Sequence, residues 1–128
     1  MGLFTMLSRF FGHNAQNSNF NSVEVDEFEK IITSSDTLLL DVRTAEEYGE
    51  GHIEGAQNID VLNDTFEQKA CERLPMDKTI ALYCRSGRRS KKAAGILAAK
   101  GYQVVELSTG YLGWAGAGKN VVKQPLNP

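Results

Sequence analysis

The sequence contains few of the residues that stabilise secreted or metal-binding proteins. Two cysteines, Cys71 and Cys84, occur among 128 residues, which is too few for a disulfide scaffold. The two histidines, His13 and His52, lie far along the chain from either cysteine, so no zinc-ligand spacing is present. We therefore expect neither a metal ion nor another cofactor.

The chain also lacks a strong net charge and a long apolar run. Its formal net charge is −2, which gives no overall field to attract nucleic acid or an anionic membrane. No stretch has the length of a membrane-spanning helix, and the N-terminus lacks the cationic start and cleavage site of a signal peptide. These absences predict a cytoplasmic protein with one globular domain and no nucleic-acid partner.

The N-terminal segment differs in character from the rest of the chain. Residues 1–11 are apolar along one helical face, and residues 12–18 are polar. We predict that residues 1–19 form an apolar, helix-like extension with a polar linker, followed by a domain over residues 20–118 and a tail over residues 119–128. Packing of Met1–Phe11 on its own domain or on a partner is favoured over a weak membrane contact.

Apolar runs and helix-start patterns alternate along the domain. Thr37–Val42 and Thr79–Tyr83 are continuous apolar runs, as in strands that are buried on both faces. Capping-box patterns precede three predicted helices, and a fourth helix is predicted over Ser90–Lys100. The three patterns are Asp26-x-x-Glu29, Thr44-x-x-Glu47 and Asp64-x-x-Glu67. The alternation predicts an α/β fold whose central, mostly parallel sheet has helices on both faces.

Positive charge is concentrated in one part of the sequence. Residues 78–105 contain seven of the 14 basic residues and no acid, whereas residues 41–72 contain nine acids and two bases. Five of the seven bases fall within residues 85–92. A solvated helix face would explain such a cluster, but an anion site at the start of that helix is favoured because a cysteine precedes it.

The loop after Thr79–Tyr83 is the predicted site, because sites in parallel sheets form beyond the C-terminal ends of the strands. The loop consists of Cys84, Arg85, Ser86, Gly87, Arg88, Arg89 and Ser90. A compact loop can turn its N–H groups inward, and Gly87 can adopt a positive φ if the turn requires it. A helix N-terminus and nearby cations lower the pKa of a thiol. Cys84 is therefore predicted to be a reactive thiolate.

Three stretches of the sequence together form a specific signature. They are Asp41-Val42-Arg43 with Glu46, Tyr48, residues 51–56 and residues 58–59; the loop from Cys84 to Ser90; and Gly110 with Trp114. With this signature the chain resembles the single-domain rhodaneses, which are thiosulfate sulfurtransferase-like proteins, over about residues 20–118. Thr109 departs from the pattern, since the family often has a glycine there.

The resemblance implies a sulfurtransferase mechanism at the loop. Cys84 would take the outer sulfur of a donor and become a persulfide, and the amides from Arg85 to Arg89 would hold the charge of that sulfur. Arg85 and Arg89 would bind a small anionic donor such as thiosulfate, or a persulfide. The acceptor would be a thiol, cyanide or a protein. Ser90 is similar to a loop-closing position.

The resemblance also implies supporting residues outside the loop. Asp41 and Arg43 are similar to a structural pair of the family that buttresses the loop. His52 belongs to the same signature, and its implied role is structural.

The residues leave alternatives to this interpretation. Phosphatase-type loops have the spacing Cys-x5-Arg, but Ser90 stands at that position and Arg89 lies one residue earlier. The shorter ring favours sulfur transfer over phosphoryl or arsenyl chemistry.

Cys71 is expected to be a half-buried helix residue, with a resolving thiol for Cys84 as the alternative. The whole domain could instead be a persulfide carrier or docking module for a partner, which the apolar N-terminal segment would favour.

Overall fold

The computed structural model describes residues 20–123 of the chain. The predicted N-terminal extension, its proposed contacts and the last five residues of the predicted tail lie outside the described residues.

Strands and helices alternate along the described chain, as predicted. The strands are β1 (Phe20–Val23), β2 (Thr37–Asp41), β3 (Gln57–Asn58), β4 (Thr79–Tyr83) and β5 (Gln103–Leu107). The helices are α1 (Val25–Ile32), α2 (Ala45–Glu50), α3 (Phe66–Arg73), α4 (Arg88–Ala99) and α5 (Gly110–Gly116). None of these helices is both long and apolar enough to cross a bilayer.

The five strands form one parallel sheet in the order β1-β5-β4-β2-β3. Strand β4 lies in the middle of the sheet, between β5 and β2, and all five of its residues are buried. The predicted α/β fold is confirmed, and the sheet is parallel throughout. An antiparallel bridge between His52 and Val122 lies outside this sheet.

The helices cover both faces of the sheet, because side chains alternate between the faces along each strand. Leu40 and Leu82 belong to one core cluster together with residues of α3 and α4. Leu39 and Ala81 belong to a second cluster together with residues of α1 and α5. The continuous apolar runs of β2 and β4 are thus explained by burial on both sides.

Two of the three predicted capping boxes are wrong. The box at Thr44 is present, with reciprocal hydrogen bonds between Thr44 and Glu47. Helix α1 instead begins at Val25, which packs on the core, and its N-cap Glu24 makes no side-chain capping bond. Helix α3 begins at Phe66, which is 2% exposed. Burial of such a first-turn residue contributes about 1.5–3 kcal/mol, more than the roughly 1 kcal/mol of a typical cap.

Helix α4 begins at Arg88, two residues before the predicted start at Ser90. Gly87 is its N-cap residue and has a φ of 111°, in the left-handed region that favours glycine. The earlier start places Ser90 within the first turn of α4, where its side chain is buried.

Candidate active site

Cys84 follows the last residue of the central strand and is almost completely buried, with 1% of its surface exposed. Because β4 is flanked by paired strands on both sides, the sulfur lies at the middle of the carboxyl edge of the sheet. This is the position at which the sequence predicted the site.

The loop after Cys84 is oriented by hydrogen bonds to helix α5. The amide of Tyr111 donates to the carbonyl of Cys84 at 2.8 Å, and the amide of Leu112 donates to that of Arg85 at 3.0 Å. On the other side of the loop, the amide of Gly87 donates to Cys84 Sγ at 3.1 Å. Carbonyls at the start of the loop therefore bond to α5, while an amide of the loop bonds to the sulfur.

This close packing requires glycine at two positions. Gly110, with a φ of 66°, lies beneath the loop, and a Cβ added there would come 2.4 Å from the carbonyl oxygen of Arg85. A Cβ added to Gly87 would come 2.4 Å from the carbonyl oxygen of Ser108. A side chain at either glycine would therefore prevent the loop and the start of α5 from packing this closely.

The environment of Cys84 favours its thiolate. Burial by itself raises the pKa of the thiol, because a charged sulfur loses hydration. The hydrogen bond with the Ser90 side chain and those from the amides of Ser90, Gly87 and Ser86 act in the opposite direction and outweigh burial, so the pKa is lowered from its ordinary value. Such a thiolate is a competent nucleophile.

The three arginines of the loop have different surroundings. Arg85 and Arg88 are exposed, and within residues 20–123 neither makes an ion pair. Arg89 forms a two-pronged ion pair with Glu47 of α2, at 2.8 and 2.9 Å. This guanidinium holds the pKa of Glu47 at about 2, well below its usual range. Arg89 is therefore already neutralised where the sequence predicted an anion-binding cation.

Asp41 and Arg43 form a buried ion pair at the end of β2. Arg43 Nη2 lies 2.7 Å from Asp41 Oδ2 and also donates to the carbonyl of Gly51 at 2.5 Å. Its guanidinium stacks over the ring of Tyr111, 4.3 Å from the ring centre. Since the amide of Tyr111 also donates to the carbonyl of Cys84, Tyr111 contacts both the ion pair and the loop.

His52 lies beside helix α2 and is 6% exposed. Its Nδ1 is 2.8 Å from the carbonyl oxygen of Tyr48, and the two rings stack with their centres 3.7 Å apart. Its backbone pairs with Val122. These contacts connect α2 to the segment after α5.

Two acidic residues that bond to residues of the loop were not identified as site residues from the sequence. Glu47 was assigned only to a capping box, yet its carboxylate also holds Arg89. Glu106 is completely buried in β5 and accepts a hydrogen bond from Ser90 at 2.5 Å. The sequence signal that could have identified Glu106 is a charged residue inside the otherwise apolar strand β5. Cys71 is an exposed free thiol of α3, so the prediction that it is half buried is wrong.

Comparisons with known proteins identify a family and individual proteins to which this chain is similar. Residues 24–117 match the family described as "Rhodanese-like domain". A sulfurtransferase of Allochromatium vinosum is 32% identical over 95 residues, which cover 73% of this chain and 86% of that protein. The tRNA uridine(34) hydroxylase of Pelagibacter ubique is 33% identical over 112 residues, which cover 87% of this chain but 36% of the hydroxylase. This chain thus spans about a third of the hydroxylase.

Solved structures have the same architecture. The BH2092 protein of Bacillus halodurans superposes with a TM-score of 0.73 at 25% identity, covering 93% of this chain and 85% of that chain. A rhodanese-like domain protein of Staphylococcus aureus superposes with a TM-score of 0.65 at 28% identity, covering 73% of this chain and 90% of that chain.

Proposed function

The chain belongs to the rhodanese-like domain family, and on this premise we propose that it is a sulfurtransferase that carries sulfane sulfur as a persulfide on Cys84. The observation that supports this most directly is the surroundings of Cys84 Sγ. The sulfur sits at the centre of a tight loop, 3.1 Å from the amide nitrogen of Gly87, and its pKa is lowered by loop hydrogen bonds. Amide donors that favour a thiolate also favour the terminal anionic sulfur of a persulfide.

The reaction has two half-reactions, as in other covalent mechanisms. The Cys84 thiolate first attacks the outer sulfur of the donor, and the bond between that sulfur and the rest of the donor breaks. With thiosulfate, sulfite leaves with the bonding electron pair. An acceptor thiolate or cyanide then attacks the outer sulfur of the persulfide, and Cys84 leaves as a thiolate.

The exposed arginines favour an anionic donor. Arg85 and Arg88 lie at the mouth of the loop without an ion pair in the described part of the chain, so they are available to thiosulfate or to the carboxylates of a small persulfide. Arg89 can bind the donor only when its ion pair with Glu47 is broken.

The short loop supports sulfur transfer over phosphoryl or arsenyl chemistry. The spacing Cys84-x4-Arg89 gives a tighter ring than the Cys-x5-Arg spacing of phosphatases, and such a ring suits one added sulfur.

The test is the intact mass of the full chain after incubation with thiosulfate and again after dithiothreitol. We expect a gain of about 32 Da, the mass of one sulfur, that the reductant removes. Cys84→Ser should abolish the gain, and Cys71→Ser, the matched control on the exposed thiol, should retain it. No gain in the wild type with thiosulfate or with a small persulfide would refute the proposal and favour a docking module. A gain without repeated turnover to cyanide would favour a persulfide carrier.

A further inference from the structure

A polar cleft of about 220 Å³ lies beside the edge strand β3 and has no role in the reaction as described so far. Its polar lining residues are Asn58, Asp60 and Asn63, from β3 and the segment after it, and Lys69 and Arg73 from α3. We call it the α3 cleft. Pockets that enclose a whole drug-sized ligand measure roughly 300–1,000 Å³. The α3 cleft therefore has room for one end of a small ligand.

The two cations of the α3 cleft lie four positions apart on the helix, so their side chains are neighbours on one side of it. Like charges at this spacing repel each other. Within residues 20–123 neither Lys69 nor Arg73 makes an ion pair, whereas Glu67 of the same helix pairs with Lys100. An anionic group bound between Lys69 and Arg73 would relieve their repulsion, so the cleft favours a ligand with such a group.

Asp60 adds a negative group to the same cleft. Its Oδ1 accepts a hydrogen bond from the amide of Leu62 at 2.9 Å. In the described part of the chain, its carboxylate forms no ion pair with Lys69, Arg73 or any other base. A simple anion such as phosphate would be attracted by the two cations but repelled by Asp60. A group that carries both a carboxylate and an ammonium, as the end of an amino acid does, matches all three charges.

The register of the sheet sets the distance between the α3 cleft and Cys84. Tyr83 pairs with Asp41, and Asp41 pairs with Asn58. The residues that follow Tyr83 and Asn58 are Cys84 and Ile59, so these two lie two strand spacings apart, or about 10 Å. Ile59 lines the cleft. An extended chain of three residues spans about 10 Å, so a peptide thiol of that size reaches from the cleft to the sulfur, whereas a single amino acid is too short.

The α3 cleft also lies near the mouth of the Cys84 loop. Ala45, which lines the cleft, is the first residue of α2 and precedes Glu47 by two positions. The pKa of Arg89 is raised mainly by its hydrogen bonds with Glu47, and the charge of Asp60 adds to that rise, so Asp60 lies close to Arg89. A ligand held in the cleft can therefore extend past the ion pair of Glu47 and Arg89 to the loop.

We propose that the α3 cleft binds the amino-acid end of a small peptide thiol, and that this thiol accepts the sulfur from Cys84. Lys69 and Arg73 bind its carboxylate, and Asp60 binds its ammonium. The acceptor thiolate forms a bond to the outer sulfur of the persulfide, the bond between the two sulfurs breaks, and Cys84 leaves as a thiolate. The acceptor becomes a persulfide anion, so two negative charges are present before and after the step and no oxidant or reductant is needed. This assignment rests on the sulfur transfer proposed above.

Binding to the cleft is tested with S-methylglutathione, a tripeptide that has the required end group and a blocked sulfur. Its Kd for the full chain is measured by isothermal titration calorimetry. Lys69→Gln/Arg73→Gln should raise the Kd about fivefold or more, because two charge pairs with the ligand are lost. The matched control is Lys30→Gln/Lys78→Gln, which makes the same change in net charge at two exposed lysines outside the cleft. Its Kd should stay within about twofold of the wild type.

The contact between Asp60 and the ammonium is tested with the N-acetylated form of the same peptide, which has no ammonium. Asp60→Asn should weaken the binding of S-methylglutathione about threefold, while the asparagine oxygen still accepts from the Leu62 amide. The acetylated peptide should bind the wild type about as weakly, and Asp60→Asn should not weaken it further, because the interaction is already absent. Equal affinity of the wild type for the two peptides would overturn the assignment to an amino-acid end.

Steady-state transfer from thiosulfate tests whether the bound thiol is the acceptor. In Lys69→Gln/Arg73→Gln, the KM for glutathione should rise about fivefold or more, and the KM for cysteine should stay within about twofold, because cysteine is too short to reach the cleft.

No binding of S-methylglutathione, an equal loss of affinity in the matched control, or equal changes in KM for glutathione and cysteine would overturn the proposal. Binding of S-methylglutathione needs no sulfur donor and should persist in Cys84→Ser. Failure of the cleft is thus distinguishable from failure of Cys84 to accept sulfur, which intact mass reports.

Discussion

Glu47→Gln should improve the use of thiosulfate by releasing Arg89. In the wild type both terminal nitrogens of Arg89 bond to the Glu47 carboxylate, at 2.8 and 2.9 Å. Glutamine keeps the shape of the side chain and an oxygen that can accept from Thr44 in the capping box. The substitution therefore removes the ion pair with little change to the start of α2.

The size of the effect follows from the pKa of Glu47. It lies at about 2 in the folded protein against 4.5 for the free group. At about 1.36 kcal/mol per unit, this difference corresponds to roughly 3 kcal/mol. Part of it comes from Thr44, and the pair is partly screened because about a quarter of each side chain is exposed. We attribute about 1–2 kcal/mol to the pair, which corresponds to about a 5- to 30-fold change in an equilibrium.

The assay is steady-state transfer of sulfur to cyanide with two donors, thiosulfate and a neutral persulfide. For Glu47→Gln we expect the KM for thiosulfate to fall about fivefold or more, with little change for the neutral donor. Arg89→Ala should weaken the use of thiosulfate more than that of the neutral donor. In the Arg89→Ala background, Glu47→Gln should have no further effect, because the two residues act as a pair.

Glu46→Gln is the matched control. Glu46 lies next to Glu47 on α2, is exposed and makes no ion pair within residues 20–123, so its substitution should leave both KM values unchanged. A KM for thiosulfate within about twofold of the wild type in Glu47→Gln, with Cys84 still loading sulfur, would refute the reasoning.

Three further predictions concern stability. Because the folded pKa of Glu47 lies below its free value, its stabilisation is present above about pH 4.5 and lost as the pH falls to about 2; urea unfolding of the wild type and Glu47→Gln should differ at neutral pH and converge in that acid range. Gly110→Ala should lower the unfolding free energy by about 2 kcal/mol or more and slow the alkylation of Cys84, because its Cβ meets the Arg85 carbonyl; Gly116→Ala, whose Cβ meets nothing, should not destabilise. Asp41→Ala should cost about 3–5 kcal/mol in urea unfolding, because Arg43 is left buried without its partner, and a loss below about 1 kcal/mol would contradict the buried-pair assignment.

Local patterns predicted the elements well where burial and capping agreed. Thr44 and Glu47 form the predicted box because both residues are local to α2. The boxes at Asp26 and Asp64 are wrong because an apolar residue that packs on the core sets where each helix starts. That residue is the partly buried Val25 in one case and the buried Phe66 in the other. A cap contributes too little to compete with such burial.

The sequence by itself determined the parallel α/β class, the place of Cys84 after a buried strand, and the short spacing of its loop. Each is a property of neighbouring residues: continuous apolar runs, a strand followed by a glycine-containing turn, and the number of residues between Cys84 and Arg89. The tertiary structure alone decided which charges act on that loop. Glu47 reaches Arg89 across 42 positions, and Glu106 reaches Ser90 across 16, through contacts between a helix or strand and the loop. Such pairs depend on how the sheet brings distant elements together, which no local spacing encodes.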